Sequence, residues 1–202
     1  MTIQFYGEGA INMLVAKCDH LFHIRALAHF DETALDSDVA DSFGNGKLVV
    51  TIQSDDKVKS YQSIIPIVNN SISESLQHYF AQSEQISTRI WLCHTNHAAS
   101  GMLLQLMPAT PSQIREQFWE HAVKLGETIT NHELVNLDNL TILHRLYHQE
   151  DIRVFDSHPV SFRCTCTKES MEDAIKTFGR EQARTLLAEK KVIDVTCEYC
   201  NS

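Results

Sequence analysis

Two stretches, Cys164-Thr165-Cys166 and Cys197-Glu198-Tyr199-Cys200, decide how the C-terminal part of this chain folds. They place two close thiol pairs on one short segment, with thirty residues between the pairs. Four thiolates in two pairs, each on a tight turn, are typical of a closed tetrahedral zinc site. We therefore predict one zinc ion per reduced chain, bound by all four cysteines. Structural disulfides are the alternative, and a reducing compartment disfavours them.

The composition is that of an ordinary globular protein. Its 202 residues are 43% hydrophobic and 21% charged, which allows one good core and a small appendage. The N-terminus has no basic start, apolar segment or cleavage site, and no apolar run is long enough to span a bilayer. We therefore expect a cytoplasmic location and no membrane partner. The net charge of −9, without a basic stripe, argues against a nucleic-acid partner.

Residues 1–110 show the alternation of β-strands, and we predict a β-rich N-terminal domain. One strand lies within 21–30, and its two faces differ in polarity. The apolar face holds Phe22, Ile24, Ala26, Ala28 and Phe30, and the other face holds His23, Arg25 and His29. Two later strands, at 89–94 and 102–107, are expected to close the sheet. Ser71, with Glu74 three positions later, predicts the start of a helix that packs on it.

Residues 111–160 have the periodicity of helices and are predicted to form a helical linker. Thr110 and Pro111 indicate the start of a first helix, and Asp138 can cap a second one that carries Leu146 and Tyr147. These helices are short, and isolated helices of fewer than about 12–15 residues are marginal in water. We therefore expect the linker to be ordered by the surface on which it packs.

Residues 161–202 form the predicted four-cysteine module, which has few large apolar side chains. So small a segment cannot easily bury enough surface to fold alone. A structural zinc site contributes on the order of 10–16 kcal/mol of apparent binding free energy at neutral pH. The module should therefore be folded with zinc and loose without it. The β-rich domain, the helical linker and this module together predict an α+β protein.

Six short sequence motifs are distributed, in a fixed order, through essentially the whole chain. They are Gly7-Glu8-Gly9, 44–51 (GNGKLVVT), 79–85 (YFAQSEQ), 98–105 (AASGMLLQ), 143–148 (LHRLYH) and 162–166 (FRCTC). In this order and at these separations, the chain resembles the redox-regulated heat-shock chaperones, the bacterial thirty-three-kilodalton chaperonin family. Relative to that family, we expect this chain to be truncated at both ends.

The resemblance implies a holdase that is not an enzyme. In the reduced form the four cysteines would hold zinc; oxidation would join Cys164 to Cys166 and Cys197 to Cys200 and release the metal. The module and the linker would then unfold, and the exposed apolar surface would bind unfolding client proteins. Phe118, Trp119 and Tyr147, most simply packing residues, become the candidate client-binding residues. The resemblance also allows a homodimer on activation.

Two other functions are alternatives to the chaperone. A thiol–disulfide oxidoreductase uses one C-x-x-C motif at a helix N-terminus, whereas here the motif ends the chain with a second cysteine pair before it. A structural zinc module for protein interaction would have the same four ligands but would keep its metal under mild oxidant. The response of the metal to oxidation separates this alternative from the chaperone.

Overall fold

The computed structural model describes residues 1–33, 42–53, 60–107, 112–177, 179–192 and 194–201. Within these residues the chain forms eight strands, six α-helices and one π-helical turn, Phe80–Glu84. The strands are β1 (Thr2–Gly7), β2 (Ile11–Cys18), β3 (His23–Phe30), β4 (Gly46–Gln53), β5 (Ser60–Pro66), β6 (Thr88–His94), β7 (Ala99–Gln105) and β8 (Ser161–Phe162). The α-helices are α1 (Ile72–Tyr79), α2 (Ser112–Gly126), α3 (Asn131–Asn136), α4 (Asn139–Tyr147), α5 (Lys168–Thr177) and α6 (Arg180–Lys190). The α+β class expected from the sequence is confirmed.

The main sheet has six strands in the order β5-β4-β1-β2-β3-β8. Its first five strands pair antiparallel, and β8 joins the edge parallel to β3. The alternation predicted for β3 is present, but its apolar face is the more exposed one. Ile24 is 44% exposed, whereas Arg25 on the opposite face is half-buried. The polar face of β3 is therefore the one that another part of the chain covers.

The Gly7-Glu8-Gly9 stretch lies against the segment that leads into β4. The backbone amides of Glu8 and Gly9 both donate to the Phe43 carbonyl oxygen, at 2.8 and 2.9 Å. A Cβ atom at Gly9 would lie 2.6 Å from the carbonyl oxygen of Ser42, so a side chain there would collide with backbone. Gly44 has a φ of +59°, a conformation that glycine adopts at no steric cost.

The first hydrophobic core lies between the main sheet and α1. Its buried members are Phe5, Phe43, Leu48, Val50, Ile65 and Tyr79. Helix α1 begins where the sequence predicted, because the Ser71 side chain accepts a hydrogen bond from the Glu74 amide. Tyr79 at its end is almost completely buried, which fixes the helix on the sheet.

The expectation that the strands after α1 close the main sheet is wrong. Strands β6 and β7 form a separate two-stranded antiparallel sheet. Trp91 and Cys93 of β6, with Met102 and Leu104 of β7, pack against side chains of the linker helices. Because this face of the β6–β7 sheet is apolar, it is buried by helices that pack on it. Pairing with the main sheet at a strand edge would leave the face exposed. The strand propensity was predicted correctly, and the pairing partner was not.

The linker helices share this second core. Its buried members are Cys93, Leu134, Ile142, Leu146 and Tyr147. Asp138 caps α4 as predicted, accepting from the Thr141 amide at 3.0 Å. The predicted α2 start, Thr110-Pro111, lies outside the described residues, and residues 151–160 have no regular secondary structure. The short helices are thus ordered by the β6–β7 sheet, in the way that their length requires.

Candidate metal centre

The four C-terminal cysteines come together in one cluster. Their sulfur atoms all lie within 4.8 Å of one another. Two contacts join the two motifs: Cys164 Sγ lies 3.6 Å from Cys197 Sγ, and Cys166 Sγ lies 3.4 Å from Cys200 Sγ. Cys197 is buried and the other three are half-buried. The arrangement is a compact, partly covered set of four sulfur donors.

Local backbone structure positions each cysteine pair. The first pair follows β8, where the Arg163 amide donates to the Ile24 carbonyl at 3.1 Å and fixes the chain beside β3. After the pair, Thr167 and Ser170 exchange amide-to-hydroxyl hydrogen bonds and start α5. The second pair lies on a turn in which the Cys197 carbonyl accepts from two amides, those of Cys200 and Asn201.

The donor set fits a tetrahedral metal ion. With zinc–sulfur bonds of about 2.3 Å, the edges of a regular ZnS₄ tetrahedron measure about 3.8 Å. The two sulfur–sulfur distances between the motifs lie within about 0.4 Å of that edge, and all the others are at most 4.8 Å, so the cluster has the size of such a site. Four thiolates leave no open coordination position, which is the arrangement of a structural site rather than a catalytic one.

The thiols influence one another's ionisation. A backbone hydrogen bond from Cys166 lowers the pKa of the Cys164 thiol to about 6. Hydrogen bonding with Cys200, and then with Cys164, raises the pKa of Cys166 above its ordinary value. One thiolate therefore forms easily and its charge makes the next one harder to form. A cation in the centre of the cluster would relieve this repulsion, so metal and protons compete for the same sulfur atoms.

The cluster rests on the polar face of β3. Arg25 Nη1 lies 3.8 Å from Cys164 Sγ, and the Arg25 guanidinium lies 4.6 Å from the centre of the Tyr199 ring. Lys17 of the neighbouring strand also approaches this ring, at 5.8 Å. The sequence pattern placed Arg25 on this face without a role and missed Lys17 and Tyr199. Their grouping depends on strand register, which only the fold supplies.

The three candidate client-binding residues lie in different environments. Phe118 on α2 is 55% exposed, whereas Tyr147 on α4 is only 8% exposed. The Tyr147 hydroxyl donates to the Ala122 carbonyl at 3.1 Å. Trp119 is half-buried and lines a cleft beside α1. In this conformation they do not make one continuous surface, because Tyr147 belongs to the second core.

The described part of the chain contains no second group of three or more metal-binding side chains. Cys93 is buried in β6, with its sulfur 3.8 Å from the Asn131 carbonyl oxygen. No helix in the described segments has the length and apolar character needed to cross a membrane. The cysteine cluster is therefore the site to which a function can be attached.

A β-rich α+β fold with a C-terminal four-thiol cluster defines the class: a protein with a thiol module that could hold a metal ion. Known proteins give a narrower answer. The model of the family described as Hsp33 protein matches residues 1–202. The 33 kDa chaperonin of Pseudomonas savastanoi pv. phaseolicola is 39% identical over 207 residues, which cover 100% of this chain and 69% of that protein. The 33 kDa chaperonin of Methylobacillus flagellatus is 35% identical over 202 residues, with the same coverage.

The fold agrees with this result. The crystal structure of the 33 kDa chaperonin (heat shock protein 33 homologue) from Thermotoga maritima superimposes with a TM-score of 0.80 and 21% identity, covering 100% of this chain and 72% of that one. The chain belongs to the Hsp33 family and is a chaperone of that family. The relatives are named as chaperonins, which are not enzymes, and nothing in the comparisons indicates a catalytic activity.

Proposed function

We propose that this chain is a redox-regulated, ATP-independent holdase, inactive with zinc bound and active after its cysteines are oxidised. The observation that carries the proposal is the meeting of all four thiols within 4.8 Å in a chain of the Hsp33 family. Cys164, Cys166, Cys197 and Cys200 are the proposed ligands of one zinc ion. When bound, zinc supplies cross-linking of the two motifs and neutralisation of part of their negative charge.

Oxidation would remove the ligands themselves. In each motif two thiolates would lose two electrons to a peroxide, forming a disulfide, while the peroxide takes up two protons and becomes two molecules of water. The proposed pairs are Cys164 with Cys166 and Cys197 with Cys200. A disulfide sulfur is no longer a thiolate ligand, so the site could not retain its ion. The module would then lose the main source of its stability.

The second core explains how the linker can follow the module. In the proposed division, residues 1–110 are the chaperone domain, 111–160 the linker and 161–202 the switch module. The linker helices contribute Leu134, Ile142 and Leu146 to a core completed by β6 and β7. Because α3 has six residues and α4 nine, neither would persist alone in water. Loosening this core would expose the apolar side chains that these helices bury in it.

Client binding is assigned to surface that this loosening exposes. Phe118 is already at the surface, whereas Tyr147 becomes accessible only when α4 leaves the second core. Trp119 lies next to Phe118 on α2, so the three side chains can join one mobile apolar segment. This supports the earlier assignment of Phe118, Trp119 and Tyr147 to client recognition after oxidation.

Three further features belong to the same proposal. The sequence has no G-x-x-x-x-G-K-[ST] loop, consistent with a holdase that uses no ATP cycle. The thiols must be reduced to hold metal, which suits the bacterial cytoplasm. The net charge of −9 favours protein clients over nucleic acid. The proposal also includes a homodimer of two activated chains, which light scattering can test.

The test is suppression of client aggregation before and after oxidation. A denatured client is diluted into reduced or peroxide-treated chain at elevated temperature, and its light scattering is followed. We expect suppression only after oxidation, in the wild-type chain and in the control Cys18→Ser, whose thiol lies outside the cluster. The double variant Cys164→Ser/Cys166→Ser should lose this redox dependence. Equal suppression by reduced and oxidised wild type would contradict redox control, and none in either state would contradict the holdase.

A further inference from the structure

Three cationic residues stand side by side on one face of the main sheet. Lys17 of β2 and Arg25 of β3 are direct register partners. Phe162 of β8 pairs with Ile24, so the next residue, Arg163, comes alongside Arg25. All three cations line one cleft of about 570 Å³, together with Thr165 from the first cysteine motif. Like charges placed directly opposite one another destabilise a sheet, so this row requires a partner.

The C-terminal module supplies partners to the row. Tyr199 presents its ring to both Arg25 and Lys17, and Arg25 Nη1 approaches Cys164 Sγ at 3.8 Å. Nearby, His29 Nε2 lies 3.4 Å from a Glu198 carboxylate oxygen. Glu198 and Tyr199 lie between the two cysteines of the second motif. By contrast Asp19, the carboxylate that lines the cleft, accepts a hydrogen bond from His23.

The charge of the cluster changes with its chemical state. Four thiolates around one divalent cation carry a net charge of −2, whereas two disulfides are neutral. The change follows from the balanced step above, in which each disulfide formed transfers two electrons to a peroxide. The row therefore faces an anion in the reduced, metal-bound form and no anion in the oxidised form. Repulsion within the row remains in both.

We propose that Lys17, Arg25 and Arg163 form a cationic docking surface for the metal–thiolate centre, and that loss of the centre's negative charge on oxidation releases the module from the sheet. This inference rests on the proposed function and adds an attachment site to it. Release would have two causes, the loss of metal inside the module and the loss of attraction beneath it. Arg25 is the central positioning residue, because it lies between the other two cations and approaches both the Cys164 sulfur and the Tyr199 ring.

Amide hydrogen exchange reports docking directly. The amides of Ser161 and Arg163 donate to carbonyls at the start of β3, so both are protected only while the module lies on the sheet. In the reduced, zinc-loaded 202-residue chain, we expect Arg25→Gln to accelerate exchange of these amides about tenfold. Arg25→Lys, which keeps the charge, should recover part of the protection. Lys47→Gln is the matched control. Lys47 also approaches an aromatic ring, with its Nζ 5.7 Å from the centre of the Tyr6 ring, but this pair lies away from the cluster.

Salt separates attraction from simple packing. Raising the salt concentration should accelerate exchange of the two amides in wild type, because salt screens the attraction. The effect should be smaller in Arg25→Gln, which keeps only two of the three cations. Zinc content, measured with Zn²⁺ alone as the ligand, should stay at one per chain in both. If Arg25→Gln does not fold, Arg163→Gln replaces it and should also show a weaker salt dependence than wild type. Equal exchange and salt response in wild type and the folded variant would overturn the inference.

The oxidised wild type separates this inference from the proposed function. Zinc release with loss of amide protection supports both. Zinc release with protection unchanged overturns the docking surface and leaves the redox switch standing. If peroxide releases no zinc, the proposed function is contradicted, and the comparison of Arg25→Gln with Lys47→Gln in the reduced chain still decides the docking surface.

Discussion

Leu146 offers the sharpest test of how the linker is ordered. It lies on α4, is 9% exposed, and packs in the second core beside Leu134 and Ile142. Leu140 lies on the same helix and is 61% exposed. Replacing each by alanine makes the same chemical change on one helix, once inside the core and once outside it. The pair therefore isolates the contribution of burial.

The magnitude follows from the atoms removed. Leu146→Ala deletes three carbon atoms, which at about 0.8 kcal/mol for each buried group cost about 2.4 kcal/mol in transfer free energy. The cavity left behind adds to this, giving about 3 kcal/mol, inside the usual range of about 2–5 kcal/mol. Leu140→Ala should change the free energy of unfolding by less than about 0.5 kcal/mol. A loss of 3 kcal/mol raises the open population of the linker by roughly a hundredfold.

The assay has two readouts on the reduced, zinc-loaded chain. Urea denaturation followed by circular dichroism gives the free energy of unfolding, and client light scattering gives holdase activity. We expect Leu146→Ala to be destabilised and to suppress aggregation partly without oxidant, while Leu140→Ala behaves as wild type. If the two variants unfold at the same urea concentration, the second core does not order α4. If Leu146→Ala is destabilised but gains no activity, linker loosening is not the step that exposes the client surface.

Three further predictions concern the same helices. Gly126→Ala should destabilise the chain by about 1–3 kcal/mol, although alanine has the better helix propensity. The reason is that the new Cβ would lie 2.8 Å from Trp91 Cη2 and 3.1 Å from Tyr147 Oη. A rise in the melting temperature would contradict this packing. Thr130→Ala should remove the capping box with Glu133 and cost about 1 kcal/mol, visible as faster amide exchange in α3, whereas unchanged exchange would show that the cap is dispensable. Hydrogen bonds from the Thr141 side chain and amide lower the pKa of Asp138, so its contribution to stability is present above the unfolded value of about 3.9 and is lost as pH falls through the lower folded value. Asp138→Asn should flatten the dependence of the melting temperature on pH in that acidic window, and an unchanged slope would exclude the effect.

Local signals in the sequence were sufficient for several elements. Ser71 and Asp138 were recognised as caps because capping is decided within four residues of the helix start. The Thr130-x-x-Glu133 capping box has the same local signature, although only two helices are predicted in the linker from the sequence, and none that begins there. The spacing of the four cysteines was enough to predict that they come together, because two close thiol pairs on one short segment are typical of one four-sulfur site.

Features that depend on distant parts of the chain were not predictable in this way. The partners of β6 and β7 are linker helices, and strand propensity carries no information about partners. Strand β8 has only two residues, too few to show any alternation. The contacts of Arg25 with Cys164 and Tyr199 join residues more than a hundred positions apart. Alternation placed Arg25 on the correct face, but only the fold shows what covers that face.

The central claim is that the four cysteines hold a metal ion whose retention depends on their redox state. The most direct measurement is the zinc-to-chain ratio of this 202-residue chain, reduced and then treated with peroxide at elevated temperature. We predict one zinc per reduced chain and close to none after oxidation, with client suppression appearing in the same samples. Zinc retained after oxidation, without any gain in suppression, would contradict the account and leave a structural zinc module.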